Sequence, residues 1–208
     1  MSMNQVLIDD TDPSILYSGP WFTVQNTQNN TGAFGPPFRE TLHGVNASAS
    51  FSYAFNGMSR WLACFMTCPQ SMAVFSGSQV IVLGTSITTN ASGTQDPTWQ
   101  CYVDNVLIPG FISAGANMEN NWNFCQSDLQ DGHHMLSVDV TVLHQQNFWF
   151  DQIQYIPSAN VSLDNATVKF DSSSPAVRYS SGWTESASIF VNLTQTAGST
   201  VTFNFTGP

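Results

Sequence analysis

The chain has 208 residues, only 9% of them charged, with four Lys or Arg against fourteen Asp or Glu and a formal net charge of −10. So few cations leave almost nothing to neutralise a phosphate backbone, which excludes nucleic acid as a partner and disfavours anionic membrane surfaces. No run of about eighteen apolar residues occurs, so no membrane span is predicted, and no signal peptide is visible in the opening MSMNQVLIDD.

Residues 6–21, VLIDDTDPSILYSGPW, return at 168–183 as VKFDSSSPAVRYSSGW. Val6, Asp9, Pro13, Tyr17, Ser18 and Trp21 fall on Val168, Asp171, Pro175, Tyr179, Ser180 and Trp183 without a gap. A repeat at fixed offset means one structural unit used twice. The expected organisation is a first domain over 1–157, a linker over 158–167, and the truncated start of a second, similar domain over 168–208. A fragment of that kind leaves strands such as Val201–Phe205 without partners, so 158–208 is expected to be loosely ordered.

From Val6 to Pro157 the chain alternates short β-like runs with Gly, Pro, Asn and Asp. Strands are predicted over Ser50–Phe55, Gln79–Thr85, Trp99–Asp104, His134–Val142 and Phe148–Ile156. In the first of them Phe51, Tyr53 and Phe55 share one face, which is core. Trp21, Trp149 and Tyr155 also sit in strand-like patterns and are read as core. The fold class is all-β, an antiparallel sandwich of jelly-roll type.

Residues 58–77, MSRWLACFMTCPQSMAVFSG, break this texture. Gly-Met-Ser can be encoded with the splice-donor string GTATGT, and Phe-Ser-Gly with a pyrimidine-rich acceptor ending in CAG. The 20 codons make 60 nucleotides in frame, the length of a short fungal intron, so a retained intron is expected here. Without it, Phe55-Asn56-Gly57 would run by a short turn into the strand at 79–85. Cys64 and Cys68 in this insert have no second ligand pair and do not read as a metal site.

Seven N-x-[ST] sequons begin at Asn29, Asn46, Asn90, Asn160, Asn165, Asn192 and Asn204. In a chain with so few charges they point to a glycosylated, extracellular or cell-surface protein. In that setting the remaining cysteines, Cys101 and Cys125, are expected to form a disulfide, closing a loop of about 25 residues and adding on the order of 3 kcal/mol.

The stretches IDDTDPSILYSGPW, CYVDN, LQDGHHML and FWFDQIQYIPS, in this order, resemble a large group of basidiomycete cell-surface proteins. That resemblance implies one or two galactose-binding-like jelly-roll ectodomains ahead of a membrane span and a cytoplasmic tail. In jelly-roll carbohydrate-binding modules the first and last strands lie side by side, and acids there hold a structural calcium ion. The acids here are Asp9, Asp10 and Asp12, read as beginning the first strand, and Asp151 in the last. Because the second repeat keeps only the first of the three, Asp9 and Asp151 are the calcium candidates. The alternative is plain Asx-turn chemistry around Asp12-Pro13-Ser14.

An enzyme needs a nucleophile with a base, a carboxylate pair or a metal. His43, His133, His134 and His144 are assigned no catalytic role. His133 and His134 point to opposite faces of a strand, and His134 is read as structural. Asp104, Asp128, Asp131 and Asp139 form no opposed pair by sequence. The expectation is therefore a non-catalytic module binding glycan or cell-wall polysaccharide, with no cofactor beyond the calcium option. Its aromatic candidates, Trp122, Trp99 and Phe124, lie in or beside Asn/Gly-rich segments. The competing expectation is a structural glycosylated ectodomain.

Overall fold

The computed structural model describes residues 4–57, 78–86, 96–112, 118–186 and 191–204. The strands in chain order are β1 (Gln5–Asp9), β2 (Leu16–Ser18), β3 (Phe22–Gln25), β4 (Thr41–Val45), β5 (Ala49–Gly57), β6 (Ser78–Thr85), β7 (Thr98–Val103) and β8 (Val106–Ile108). They continue as β9 (Trp122–Leu129), β10 (Gly132–Thr141), β11 (Phe148–Tyr155), β12 (Thr167–Lys169), β13 (Val177–Tyr179), β14 (Trp183–Ser186), β15 (Val191–Thr194) and β16 (Val201–Phe203). Among the described residues the protein is all-β apart from a 3-10 turn at Phe38–Glu40, and every strand pairing is antiparallel. Within the first eleven strands the chain changes sheet at nearly every connection, which is how a jelly roll is wound.

Two sheets make the sandwich. In the seven-stranded sheet β11 is central: β1 and β4 share one of its edges end to end, β12 lies outside β1, β3 outside β4, and β6 then β9 continue from the other edge. The five-stranded sheet runs β2-β5-β10-β7-β8. The inner faces meet in an aromatic core, with Phe51 of β5 stacked on Phe150 of β11 at 4.2 Å and Phe55 against Tyr155 at 5.0 Å. The predicted alternation of β5 holds, Phe51, Tyr53 and Phe55 being buried, and Trp149 and Tyr155 are buried as expected. Gly84 is required where β6 meets β11, because a Cβ there would collide with the Trp149 carbonyl and the Phe124 ring.

Every residue of β11 is buried, including Gln152 and Gln154. The 26–40 loop lies against this sheet, tied by Asn120 Nδ2 to the Gln28 carbonyl at 2.6 Å and by Asn121 Nδ2 to the Pro36 carbonyl at 2.9 Å. The Ala33 N–H adds a bond to Glu119 at 2.7 Å.

The proposed insert 58–77 and the sequon at Asn90 lie outside the described residues. The insert's flanks, Gly57 and Ser78, lie in strands of different sheets. Both flanks adjoin the chain after β11: the Ile156 N–H bonds to the Gln79 carbonyl at 3.1 Å, and Pro157 bridges to Gly57. The segment read as the opening of a second domain adds β12 to the first sheet, and forms two separate two-stranded ladders, β13 with β16 and β14 with β15.

Candidate functional site

The acids at 9–12 end the first strand rather than begin it. Thr11 donates from its hydroxyl to the Asp9 carboxylate, the Asp12 N–H bonds to the Asp9 carbonyl at 3.0 Å, and the Ser14 N–H bonds to Asp12 Oδ1 at 2.8 Å. The second repeat makes the same turn. The Ser174 N–H reaches the Asp171 carbonyl at 2.9 Å, the Ser173 N–H reaches Asp171 Oδ1 at 2.7 Å, and the Ala176 N–H reaches Ser174 Oγ at 3.3 Å. Asx and Ser turns therefore account for the repeated motif.

Asp10, set aside on sequence because the second repeat has Ser172 there, is the centre of the network. It is fully buried. His43 Nδ1 lies 2.7 Å from Asp10 Oδ2, Thr41 Oγ1 donates to Asp10 Oδ1 at 2.6 Å, and the Tyr17 hydroxyl donates to the Asp10 carbonyl at 2.7 Å. The Tyr17 ring stacks on His43 at 4.3 Å, and Thr23 Oγ1 lies 3.2 Å from His43 Nε2. Burial pushes the Tyr17 hydroxyl far up, with the neighbouring aspartates adding to it.

Asp151 sits where the β11–β6 register shifts, between Phe150 and Gln152, an irregularity that re-aims side chains. Its two oxygens take the Phe38 N–H at 2.9 and 3.2 Å. Burial raises this carboxyl to about 8, against the pull of that hydrogen bond, and Asp10 and Asp9 push the same way. Burial also raises Asp9, whose Oδ1 is buried with no hydrogen-bond partner among the described residues. Calcium takes six to eight oxygens, several of them ionised. Asp151 already holds the Phe38 N–H, and among the described residues no group of three His, Cys, Asp or Glu is placed to hold a metal ion. Asp9 and Asp151 do not by themselves fit a calcium centre.

Cys101 of β7 and Cys125 of β9 form the expected disulfide, which staples the two sheets together with Cα atoms 6.5 Å apart. The three aromatic candidates separate. Phe124 is wholly buried between Trp99 at 4.7 Å and Phe148 at 4.8 Å, so it is core and not a ligand contact. Trp122 opens strand β9 rather than lying in a loop, is half-buried, and gives its N–H to the Phe111 carbonyl at 3.3 Å. Trp99 is also half-buried with its N–H on the Phe124 carbonyl at 3.1 Å, but its ring lines an open groove of about 240 Å³ along the β7–β8 edge. Thr98, Gln100, Leu107, Gly110 and Ile112 complete the groove. The residues missed for this site were Gln100, next to Trp99 in the chain, and Leu107, which the pairing of β7 with β8 brings into the same groove.

His134 uses both ring nitrogens, on Asp104 Oδ2 and the Gln130 carbonyl at 2.7 Å each, as its structural reading anticipates. The hydrogen bond from His134 holds the Asp104 carboxyl below its usual range.

No family model and no curated protein matches the chain. Among solved structures it is similar to the catalytic domain of a GH87 alpha-1,3-glucanase in complex with tetrasaccharides, at 9% identity over 76% of this chain with a TM-score of 0.38. It is also similar to such a domain in complex with nigerose, at 9% identity over 77% and a TM-score of 0.39. The chain spans 29% of the length of each of these solved chains. The expectation that the chain is not an enzyme is corrected by this finding, since the proteins it is similar to are catalytic domains. At these TM-scores the likeness transfers neither an activity nor a site. Among the described residues no helix is long and apolar enough to cross a membrane.

Proposed function

We propose that this chain is a carbohydrate-recognising β-sandwich displayed at a fungal cell surface, with its glycan site in the β7–β8 groove. The observation that supports it is the Trp99 groove. An indole whose N–H is already satisfied offers its apolar ring to the C–H face of a sugar, Gln100, whose Oε1 takes the Tyr102 hydroxyl at 3.1 Å, keeps its amide N–H groups for hydroxyls, and Leu107 and Ile112 form an aliphatic wall. Surface display is supported by the sheet-to-sheet disulfide and by the exposure of the sequon residues Asn46, Asn160, Asn165 and Asn204.

The test is a binding screen of the full chain, expressed through an oxidising compartment, against α- and β-glucans, chitin and galactose- and mannose-containing glycans. Saturable binding that is lost in Gln100→Ala and Leu107→Ser but kept in Trp122→Ala is the expected result. Absence of binding by a folded, disulfide-bonded chain would reject the groove. It would favour the second reading, a glycosylated structural ectodomain, for which those same exposed asparagines are the supporting observation.

A further inference from the structure

β12 belongs to the second repeat, yet it pairs with β1 of the first. Val6 lies opposite Val168, its own counterpart in the repeat. Gln5 lies opposite Lys169, the counterpart of Leu7, and Leu7 lies opposite Thr167, the counterpart of Gln5. An antiparallel ladder with that exchange has a local two-fold axis between Val6 and Val168, which is the geometry of an isologous contact.

The β1 edge has the character of an edge meant to be covered. Open edges are normally blunted by Lys, Pro or a bulge. β1 reads Gln-Val-Leu-Ile-Asp, with neither Lys nor Pro, and pairs with β11 over four residues without irregularity. Two of the chain's four basic residues brace the joint. Arg39 Nη2 donates to Thr167 Oγ1 at 3.3 Å, and Lys169 Nζ donates to Gln154 Oε1 at 3.3 Å.

We propose that the outer edge of β1 is a self-recognition edge, which takes the first strand of another repeat in two-fold antiparallel register: β12 in cis, and β1 of a second copy of this chain once β12 is displaced. Trans pairing sets Val6 against Val6 and Gln5 against Leu7 about the same axis, with Leu7 in place of Lys169 and Gln5 in place of Thr167. Cis pairing prevails in the unmodified chain for two reasons. The braces need Thr167 and Lys169, and the short connection from β11 holds β12 at high effective concentration.

The test uses the full chain. Successive N–H groups of a strand point to opposite sides, so Val168→Pro together with Lys169→Pro removes whichever one faces β1. The mass measured by light scattering on a sizing column is expected to double in this variant at micromolar concentration, while the unmodified chain runs at a single-chain mass. Adding Leu7→Lys, a charge on the exposed edge, is expected to restore the single-chain mass. A double-proline chain that stays monomeric overturns the proposal, and so does a dimer indifferent to Leu7→Lys. A second measurement is independent of proline: Leu7→Cys with Thr167→Cys, opposite each other in the ladder, is expected to give an intramolecular disulfide on mild oxidation, mapped by peptide mass. Its absence would refute the cis pairing.

Discussion

Asp9 and Asp171 hold the same place in the two repeats and head the same turn, yet their carboxyls shift in opposite directions. Burial raises Asp9 despite its bond from Thr11, whereas the Ser173 N–H and hydroxyl lower Asp171, which stays in solvent. The aromatic pair behind each turn shows the same contrast. Tyr17 and Trp21 have ring centroids 5.2 Å apart at 56°, and Tyr179 and Trp183 are 5.1 Å apart at 57°. Trp21 Nε1 donates to the Ser50 carbonyl and Trp183 Nε1 to the Thr200 carbonyl, both at 3.1 Å. Tyr17 is nevertheless packed against His43, Phe51 and Phe150, three residues supplied by β4, β5 and β11. Local sequence writes the turn and the aromatic hook; what the turn is worth depends on the strands that close over it.

Substitutions made in parallel at equivalent positions test that contrast. Asp10→Ala strips buried partners from His43, Thr41 and their neighbours and should lower the unfolding free energy by about 3 kcal/mol. Ser172→Ala, at the equivalent position, should change it by less than about 0.5 kcal/mol, both measured by urea denaturation. Equal effects would mean that the environment of the turn does not matter.

A pH series separates the buried acid from the exposed one. The native Asp151 carboxyl, raised to about 8, keeps a proton that an unfolded carboxyl near 3.8 has released. Its contribution is therefore complete below the unfolded value and is lost as pH rises toward about 8. Asp151→Asn keeps an acceptor for the Phe38 N–H and should flatten the decline of stability over that window. Asp171, lowered and exposed, has the opposite sign, stabilising above 3.8 and losing that contribution as pH falls through its lowered value. An Asp171→Asn chain should show an alkaline decline indistinguishable from that of the unmodified protein.

Smaller effects follow from single hydrogen bonds. Tyr17→Phe leaves the Asp10 carbonyl without its phenol donor and should cost about 1 kcal/mol, against no measurable change for Tyr179→Phe. Asp12→Ala removes the Ser14 cap and should cost some tenths of that figure, with Ser174→Ala smaller still. A Tyr179→Phe penalty matching that of Tyr17→Phe would show that the second repeat is buried against something beyond the strands described.

Much of the fold was legible from period-two patterning. β5, β7, β10 and β11 lie within two residues of their predicted spans, because alternating Phe, Tyr and Val on one face require a core. β9 was missed because it opens in NNWN, where Asn reads as loop, although Cys125 and Phe124 within it are buried. The candidate site was less legible. Trp99 lines the groove as its polar neighbourhood suggests, but Phe124 is core and Leu107 comes to the groove from another strand, since proximity along the chain does not reveal which face of a strand a side chain occupies. Asp10 was discounted because its counterpart is Ser172, a comparison blind to what His43 and Thr41 bring from β4.

The sequence by itself determined the all-β class, the repeat and the Cys101–Cys125 bridge, and offered turn chemistry only at Asp12-Pro13-Ser14, as the alternative to calcium. Each of these depends on residues close in the chain or on composition. Tertiary structure alone decided which carboxylate is central, which indole lines a groove, and that the two repeats meet through their first strands. Those outcomes depend on contacts between segments tens to more than a hundred residues apart, whose burial and register no local pattern encodes.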